Sequence, residues 1–179
     1  MPEEMRSMAR AGSEVRSGIL AASALAFAFL AVPPAARPSP VLLWNVTASV
    51  PTGLYSLGGS AAIERGDLVA ARLPPRVRSL AAERRYVPAS VPVIKRVAGV
   101  SGDLVCGMGA QVTVNGRTVA MRRQWDGARR LLPKWQGCER LSASRVFLLG
   151  DAPDSFDGRY FGVIESACVL GEASLLWRS

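Results

Sequence analysis

Ser49 is the first residue of this 179-residue chain whose setting suggests chemistry. It sits in Asn45-Val46-Thr47-Ala48-Ser49-Val50-Pro51-Thr52-Gly53-Leu54-Tyr55, where Pro51 and Gly53 break any regular element directly after it. A sharply turned, exposed serine suits a nucleophile, because its Oγ must reach a substrate carbonyl. The same pattern also describes an ordinary turn serine. Lys95 is the second such residue. It lies in Val91-Pro92-Val93-Ile94-Lys95-Arg96-Val97-Ala98-Gly99-Val100, the most β-branched stretch of the chain. Alternation puts Val93, Lys95 and Val97 on one face and Ile94 and Arg96 on the other, so one of two adjacent cations must point inward or along a groove. Burial disfavours the ammonium. With a free pKa of about 10.4, only about one such amine in 2,500 is neutral at pH 7, and lowering the value to ~8 costs about 3 kcal/mol. A fold accepts that cost where the amine activates a hydroxyl; the competing reading is an edge-strand lysine whose head reaches water. The third stretch is residues 148–162, Leu-Leu-Gly-Asp-Ala-Pro-Asp-Ser-Phe-Asp-Gly-Arg-Tyr-Phe-Gly. Here Asp157 and Arg159 are spaced to pair, and Ser155 can hydrogen-bond a neighbouring amine. A calcium loop is the alternative, but the EF-hand spacing and its terminal Glu are missing.

Composition narrows the chemistry. The chain has no histidine, which excludes a Ser-His-Asp triad, a Cys-His dyad and every His-ligated metal site. Acid–base work falls to lysine, carboxylates, tyrosine or a thiol. No CxxC pair exists, so no zinc site, and no cofactor of any kind, is expected. The net charge is +8, nearly all of it from arginine, since Lys95 and Lys134 are the only lysines. The arginines are scattered, without interleaved aromatics or a recognisable module, so the charge reads as a solvated basic surface and no nucleic-acid partner is expected. Cys106, Cys138 and Cys168 give one disulfide and one free thiol if the domain is exported. Cys106–Cys138 is the preferred pair, because the two bracket a single segment.

The elements that position these residues read as mainly β behind one N-terminal hydrophobic helix. Residues 17–36 form an uncharged stretch between Arg16 and Arg37, preceded by Arg6 and Arg10. That bias implies a cytoplasmic stretch over 1–16 and export of the chain beyond residue 36. Pro33 and Pro34 stop the apolar helix, leaving a membrane anchor, a cleaved signal segment and a buried core helix all open. After the Pro-rich linker, residues 37–179 read as one irregular β-sheet domain. Its expected strands are Val41–Trp44, Leu68–Leu73, Val91–Val100, Gln111–Val114, Val146–Leu149, Tyr160–Ile164 and Ala167–Leu170. Asn115-Gly116 between Val-Thr-Val and Arg-Thr-Val signals a two-residue hairpin. An insertion spans about 106–140, and its Arg- and Trp-rich part, 120–140, reads as lying outside the core sheets.

Taken together, these stretches resemble the bacterial type I signal peptidases, Ser/Lys proteases that cut exported proteins. The resemblance rests on four boxes in order: Ser49-Val50-Pro51-Thr52; Arg65-Gly66-Asp67-Leu68-Val69; Lys95-Arg96-Val97-Ala98-Gly99 with Gly102-Asp103; and Gly150-Asp151 with Ser155-Phe156-Asp157-Gly158-Arg159-Tyr160-Phe161-Gly162. They cover roughly residues 40–172. Pro51-Thr52-Gly53-Leu54-Tyr55, Val112 to Gly116, the Leu-Pro-x-Trp-x-Gly-Cys run over 132–138 and Trp177 look like the TraF peptidases of conjugative plasmids within that family.

The resemblance implies Ser49 as nucleophile and Lys95 as general base. It further implies Thr47 as an oxyanion donor beside the Ser49 amide, Ser155 as the group orienting the amine, and Asp157 and Arg159 as supports. Two positions depart from the family pattern: Gly158 stands where a serine is usual, and the Gly150–Ser155 loop is a residue short with Ala152-Pro153 inside. The implied function is maturation of a conjugative pilin precursor (TrbC-like), in some systems coupled to pilin cyclisation. It would act in the periplasm at the outer face of the inner membrane, as a monomer. The competing functions are a general signal peptidase for secreted preproteins and a non-enzymatic mating-pair component.

Overall fold

The computed structural model describes residues 41–59 and 62–179. The expectations for 1–16 and 17–36 lie outside the described residues. The described part is mainly β, as the sequence implies. A seven-stranded antiparallel sheet contains β1 (Leu42–Asn45), β2 (Gly53–Leu57), β3 (Leu68–Ala71), β4 (Val93–Gly99), β9 (Arg145–Leu149), β10 (Ile164–Glu165) and β11 (Val169–Arg178). Its order is β1-β2-β11-β3-β4-β9-β10. A second sheet holds β5 (Leu104–Met108), β6 (Gln111–Val114), β7 (Arg117–Met121) and β8 (Gly137–Arg140), in the order β7-β6-β5-β8.

β9 explains why the two sheets share a core. Val146 and Leu148 point into one buried cluster with Val69, Val97 and Ile164. Phe147 and Leu149 point the other way, into a cluster with Val105, Val112 and Leu141. A strand buried on both faces loses the polar half of its alternation, which is why Val-Phe-Leu-Leu reads as a continuous apolar run. A third cluster, Val50, Tyr55, Ile94 and Ala173, lies beneath the turn that carries Ser49. Tyr55 Oη donates to the Pro51 carbonyl at 2.7 Å and braces that turn from below.

The Asn115-Gly116 hairpin between β6 and β7 forms as expected, with φ of 50° and 79° at the two turn residues. Positive φ at both is what a type I′ turn demands.

Three expectations need correction. The 120–140 stretch is only partly outside the sheets: residues 122–136 carry no sheet strand, but Ala120 and Met121 end β7, and β8 pairs with β5 through Cys106↔Cys138, which are joined by a disulfide. Arg122 and Trp135 of the same stretch fold back onto residues 158 and 159. Tyr160–Ile164 is not a strand. Asp157 accepts from the Arg159 N–H and caps a short helix, α2 (Gly158–Phe161), before β10 begins. Ala167 lies in a 3₁₀ turn (Ser166–Cys168), and the strand starts at Val169. Strands β2, β5 and β8 lie outside the expected runs, and one helix goes unannounced altogether, α1 (Pro75–Glu83). Its signal is local: Pro75 preorganises a first turn, and Arg, Leu, Ala and Glu follow.

Candidate active site

β4 places its two adjacent cations on opposite faces. Lys95 points inward and is 4% exposed. Arg96 points outward, clasps both Asp151 oxygens at 2.8 and 2.9 Å, and donates to the Gly66 carbonyl at 2.8 Å. A neighbouring ion pair, Arg65 on Asp103, ties the Arg-Gly-Asp box to the Gly-Asp box at 2.6 Å. Three of the four boxes recognisable in the sequence are therefore joined by charged hydrogen bonds, from Arg65 to Asp103 and from Arg96 to Asp151.

The Lys95 amine donates to Ser155 Oγ at 2.7 Å, inside the protein. Burial is the largest influence on it and drives its pKa down from 10.5 to about 8. Asp157 and Asp151 pull it back up, and Arg159 pushes it further down. At that value roughly a tenth of the amine is neutral at pH 7, against about one in 2,500 for a free lysine. The buried site thus holds a base of moderate strength where an ordinary lysine would be almost wholly protonated.

Asp157 and Arg159 form a buried ion pair close enough to Lys95 for its charges to be felt there. Asp157 is fully buried. Its carboxylate accepts from Arg159 Nε at 2.8 Å, Arg159 Nη2 at 3.0 Å, the Arg159 N–H at 3.0 Å and the Gly150 N–H at 2.7 Å. The guanidinium also donates to the carbonyls of Gly150, Ala152 and Pro153. A buried ion pair survives only when its remaining donors and acceptors are satisfied, and here the short loop closes around the arginine to do so. The Ala152-Pro153 departure is thus part of the cage.

Gly150 is required by close approach. A Cβ there would overlap Ser155 Oγ and come within 3.0 Å of the Ser49 carbonyl. Gly150→Ala is expected to push Ser155 off the Lys95 amine, lowering kcat about tenfold or more and stability by about 1–3 kcal/mol. Steady-state kinetics and urea unfolding check both. Gly158, the other departure, has the same cause. A Cβ would lie 2.6 Å from both the Leu148 carbonyl and the Phe147 ring, so a serine has no room.

Ser49 sits on the turn between β1 and β2. Its carbonyl accepts from the Asp151 N–H at 2.6 Å, which fastens the turn to the Gly150–Ser155 loop. Its Oγ lies 3.0 Å from Thr47 Oγ1. Ser49, Thr47, Lys95 and Ser155 all line one cleft of about 610 Å³, whose walls are largely apolar: Leu43, Leu73, Val91, Ile94, Trp125 and Phe156 among them. No hydrogen bond among those of the described residues joins Ser49 to Lys95. The serine bonds the threonine and the lysine bonds Ser155.

The family described as signal peptidase, peptidase S26, matches residues 15–178. This chain belongs to that family. Its relatives include two proteins described as plasmid transfer protein TraF from Escherichia coli. One is 35% identical over 138 residues, covering 70% of this chain and 77% of that protein. The other is 36% identical, covering 67% and 73%. A probable conjugal transfer protein TraF from Sinorhizobium fredii is 35% identical, covering 72% and 73%. These make it a TraF-type S26 serine peptidase. A crystal structure of a signal peptidase I from Enterococcus faecalis overlaps 64% of this chain and 98% of that one, with 22% identity and a TM-score of 0.38.

Several residues that shape the peptidase site carry no signal in the sequence. Trp135 Nε1 donates to the Gly158 carbonyl at 2.9 Å, and Arg122 Nε donates to the Arg159 carbonyl at 2.5 Å. Both come from the inserted segment, and the Arg122 guanidinium stacks 4.6 Å from the Trp135 ring centre. The insertion therefore buttresses α2, the element that presents Asp157 and Arg159. Nothing in the local sequence announces that residues 23 and 37 positions away would meet these carbonyls. Asn45, which bonds Thr47 beside the nucleophile, is another such residue.

Proposed function

We propose that this peptidase cuts the precursor of a conjugative pilin, with Ser49 as nucleophile and neutral Lys95 as general base. The observation that carries the reading is the buried Lys95 amine, held by Ser155 in the same cleft as Ser49, with its pKa lowered to about 8. Lys95 Nζ takes the hydroxyl proton of Ser49, and Oγ bonds to the scissile carbonyl carbon. The oxyanion is held by the Thr47 hydroxyl and the Ser49 N–H; that N–H takes no other partner among the described residues. Lys95 then protonates the leaving amine. Water resolves the ester to an acid, or the amino terminus of the pilin resolves it to a new peptide bond, closing a ring.

The relatives' descriptions as plasmid and conjugal transfer proteins support the choice of substrate. The place of action is the periplasmic side of the inner membrane. Ser49 follows the end of the apolar 17–36 stretch by thirteen residues. β1 and β11 expose Leu42, Trp44, Leu176 and Trp177, with the two indole rings 5.7 Å apart, a surface suited to a lipid interface.

Mass spectrometry of the pilin from cells with and without this protein tests the proposal. A trimmed pilin is expected only where the protein is present, and a further loss of one water mass marks cyclisation. Identical pilin in both cells contradicts the substrate; restored processing by Ser49→Ala contradicts the enzyme.

A further inference from the structure

Asn45 ends β1 just before the nucleophile turn and is 6% exposed. Its side-chain oxygen faces the Thr47 N–H at 3.1 Å and Thr47 Oγ1 at 2.8 Å. Its side-chain nitrogen faces the carbonyls of Thr47, Val50 and Pro51 at 2.9, 3.3 and 3.0 Å. Elementary valence fixes the direction of every one of these bonds. A backbone N–H only donates and a carbonyl only accepts, so the amide oxygen must be the atom on the Thr47 side. That oxygen only accepts, so Thr47 commits its one hydroxyl hydrogen to Asn45. The 3.0 Å contact between Thr47 Oγ1 and Ser49 Oγ is then made with the hydrogen of Ser49. Donation runs from Ser49 to Thr47 to Asn45, away from Lys95, whose amine is engaged with Ser155.

Two hydrogens must therefore turn before chemistry occurs. Ser49 has to redirect its proton from Thr47 to the lysine, and Thr47 has to redirect its own from Asn45 to the oxyanion. A neutral carboxamide suits the second step, because a neutral acceptor holds a hydroxyl about half as strongly as a carboxylate would. We propose that Asn45 is a positioning residue of this peptidase, which orients the Thr47 hydroxyl between turnovers and yields its hydrogen to the oxyanion as the acyl bond forms. The proposal rests on the Ser49/Lys95 reading of the site.

The test is a double-mutant cycle on the full chain, with N-acetyl-alanine p-nitrophenyl ester as the probe and nitrophenolate release as the signal. Thr47→Ala is expected to lower kcat about a hundredfold. Asn45→Ala should lower it about tenfold or more, with KM changed less than about threefold. The pair together should be no more than about threefold slower than Thr47→Ala alone, since Asn45 acts through that hydroxyl. The ascending pH limb near 8 should stay in place in Asn45→Ala, because burial, Asp157, Arg159 and Asp151 set it. A site merely loosened by the substitution would move that limb. Should Asn45→Ala fail to accumulate, Asn45→Ser, whose hydroxyl can still accept from the Thr47 N–H, runs through the same cycle. Wild-type kcat in the Asn45 variant, or losses that multiply in the pair, would overturn the proposal. Ser49→Ala with full activity would instead overturn the underlying Ser/Lys reading and take this proposal with it.

Discussion

Lys95→Met is expected to abolish peptide cleavage while making the folded domain more stable at pH 7. The loss follows from the base: kcat should fall at least about a thousandfold, within the range a positioned proton acceptor contributes. The gain in stability follows from linkage. Lys95 titrates at about 8 in the fold and at 10.5 when free. The unfolded chain therefore holds the extra proton between those values, and wild-type stability rises with pH across that window. Below about pH 8 the full penalty applies, roughly 3 kcal/mol. Leaving Ser155 without its partner returns about 1 kcal/mol of that, so the net gain is roughly 2 kcal/mol. The advantage of Lys95→Met should shrink as pH rises from 8 towards 10.5, which urea unfolding at several pH values measures. Lys95→Arg separates charge from basicity: a guanidinium cannot give up its proton, so that variant should be equally inactive and gain no stability.

Asp157→Ala carries the largest expected loss of stability, about 3–5 kcal/mol, because it strands the buried Arg159 guanidinium without its counterion. It should also move the pH–rate profile. Asp157 raises the pKa of Lys95 and Arg159 lowers it. Removing the carboxylate shifts the ascending limb to lower pH, and Arg159→Met shifts it to higher pH. Opposite movements from the two halves of one ion pair would mark the pair as an electrostatic tuner of the lysine as well as a structural brace. Movement in the same direction would reduce it to a brace.

The chemistry of this chain is more legible than its scaffold. Ser49, Lys95, Ser155, Asp157 and Arg159 sit in short boxes that are telling in their order; Ser49, Lys95 and Ser155 line one cleft, and Asp157 and Arg159 pair behind the Gly150–Ser155 loop. That one of the two adjacent cations must turn inward is readable too, since strand alternation forces Lys95 and Arg96 apart; that it is Lys95 is seen only in the fold. What is not legible depends on partners distant in the chain. Residues 160–164, Tyr-Phe-Gly-Val-Ile, are apolar enough to pass for a strand, but the cap from Asp157 and the cover from Arg122 and Trp135 hold 158–161 as a helix. The inserted segment looks peripheral because its polar, Arg-rich sequence lacks an apolar stripe. It is held instead by a disulfide, a stacked cation and hydrogen bonds to carbonyls. Asn45 draws no notice in the sequence because an asparagine before a turn is commonplace; only the directions of its bonds distinguish it.

On the proposed mechanism, a lysine whose pKa burial lowers to about 8 removes the proton of Ser49. The pH dependence of single-turnover acylation by N-acetyl-alanine p-nitrophenyl ester tests it most directly, with wild type and Lys95→Met run side by side. The wild-type rate is expected to rise through a midpoint near pH 8 and then level, with that limb absent from the variant. A flat wild-type profile, or the same limb persisting in Lys95→Met, would contradict it.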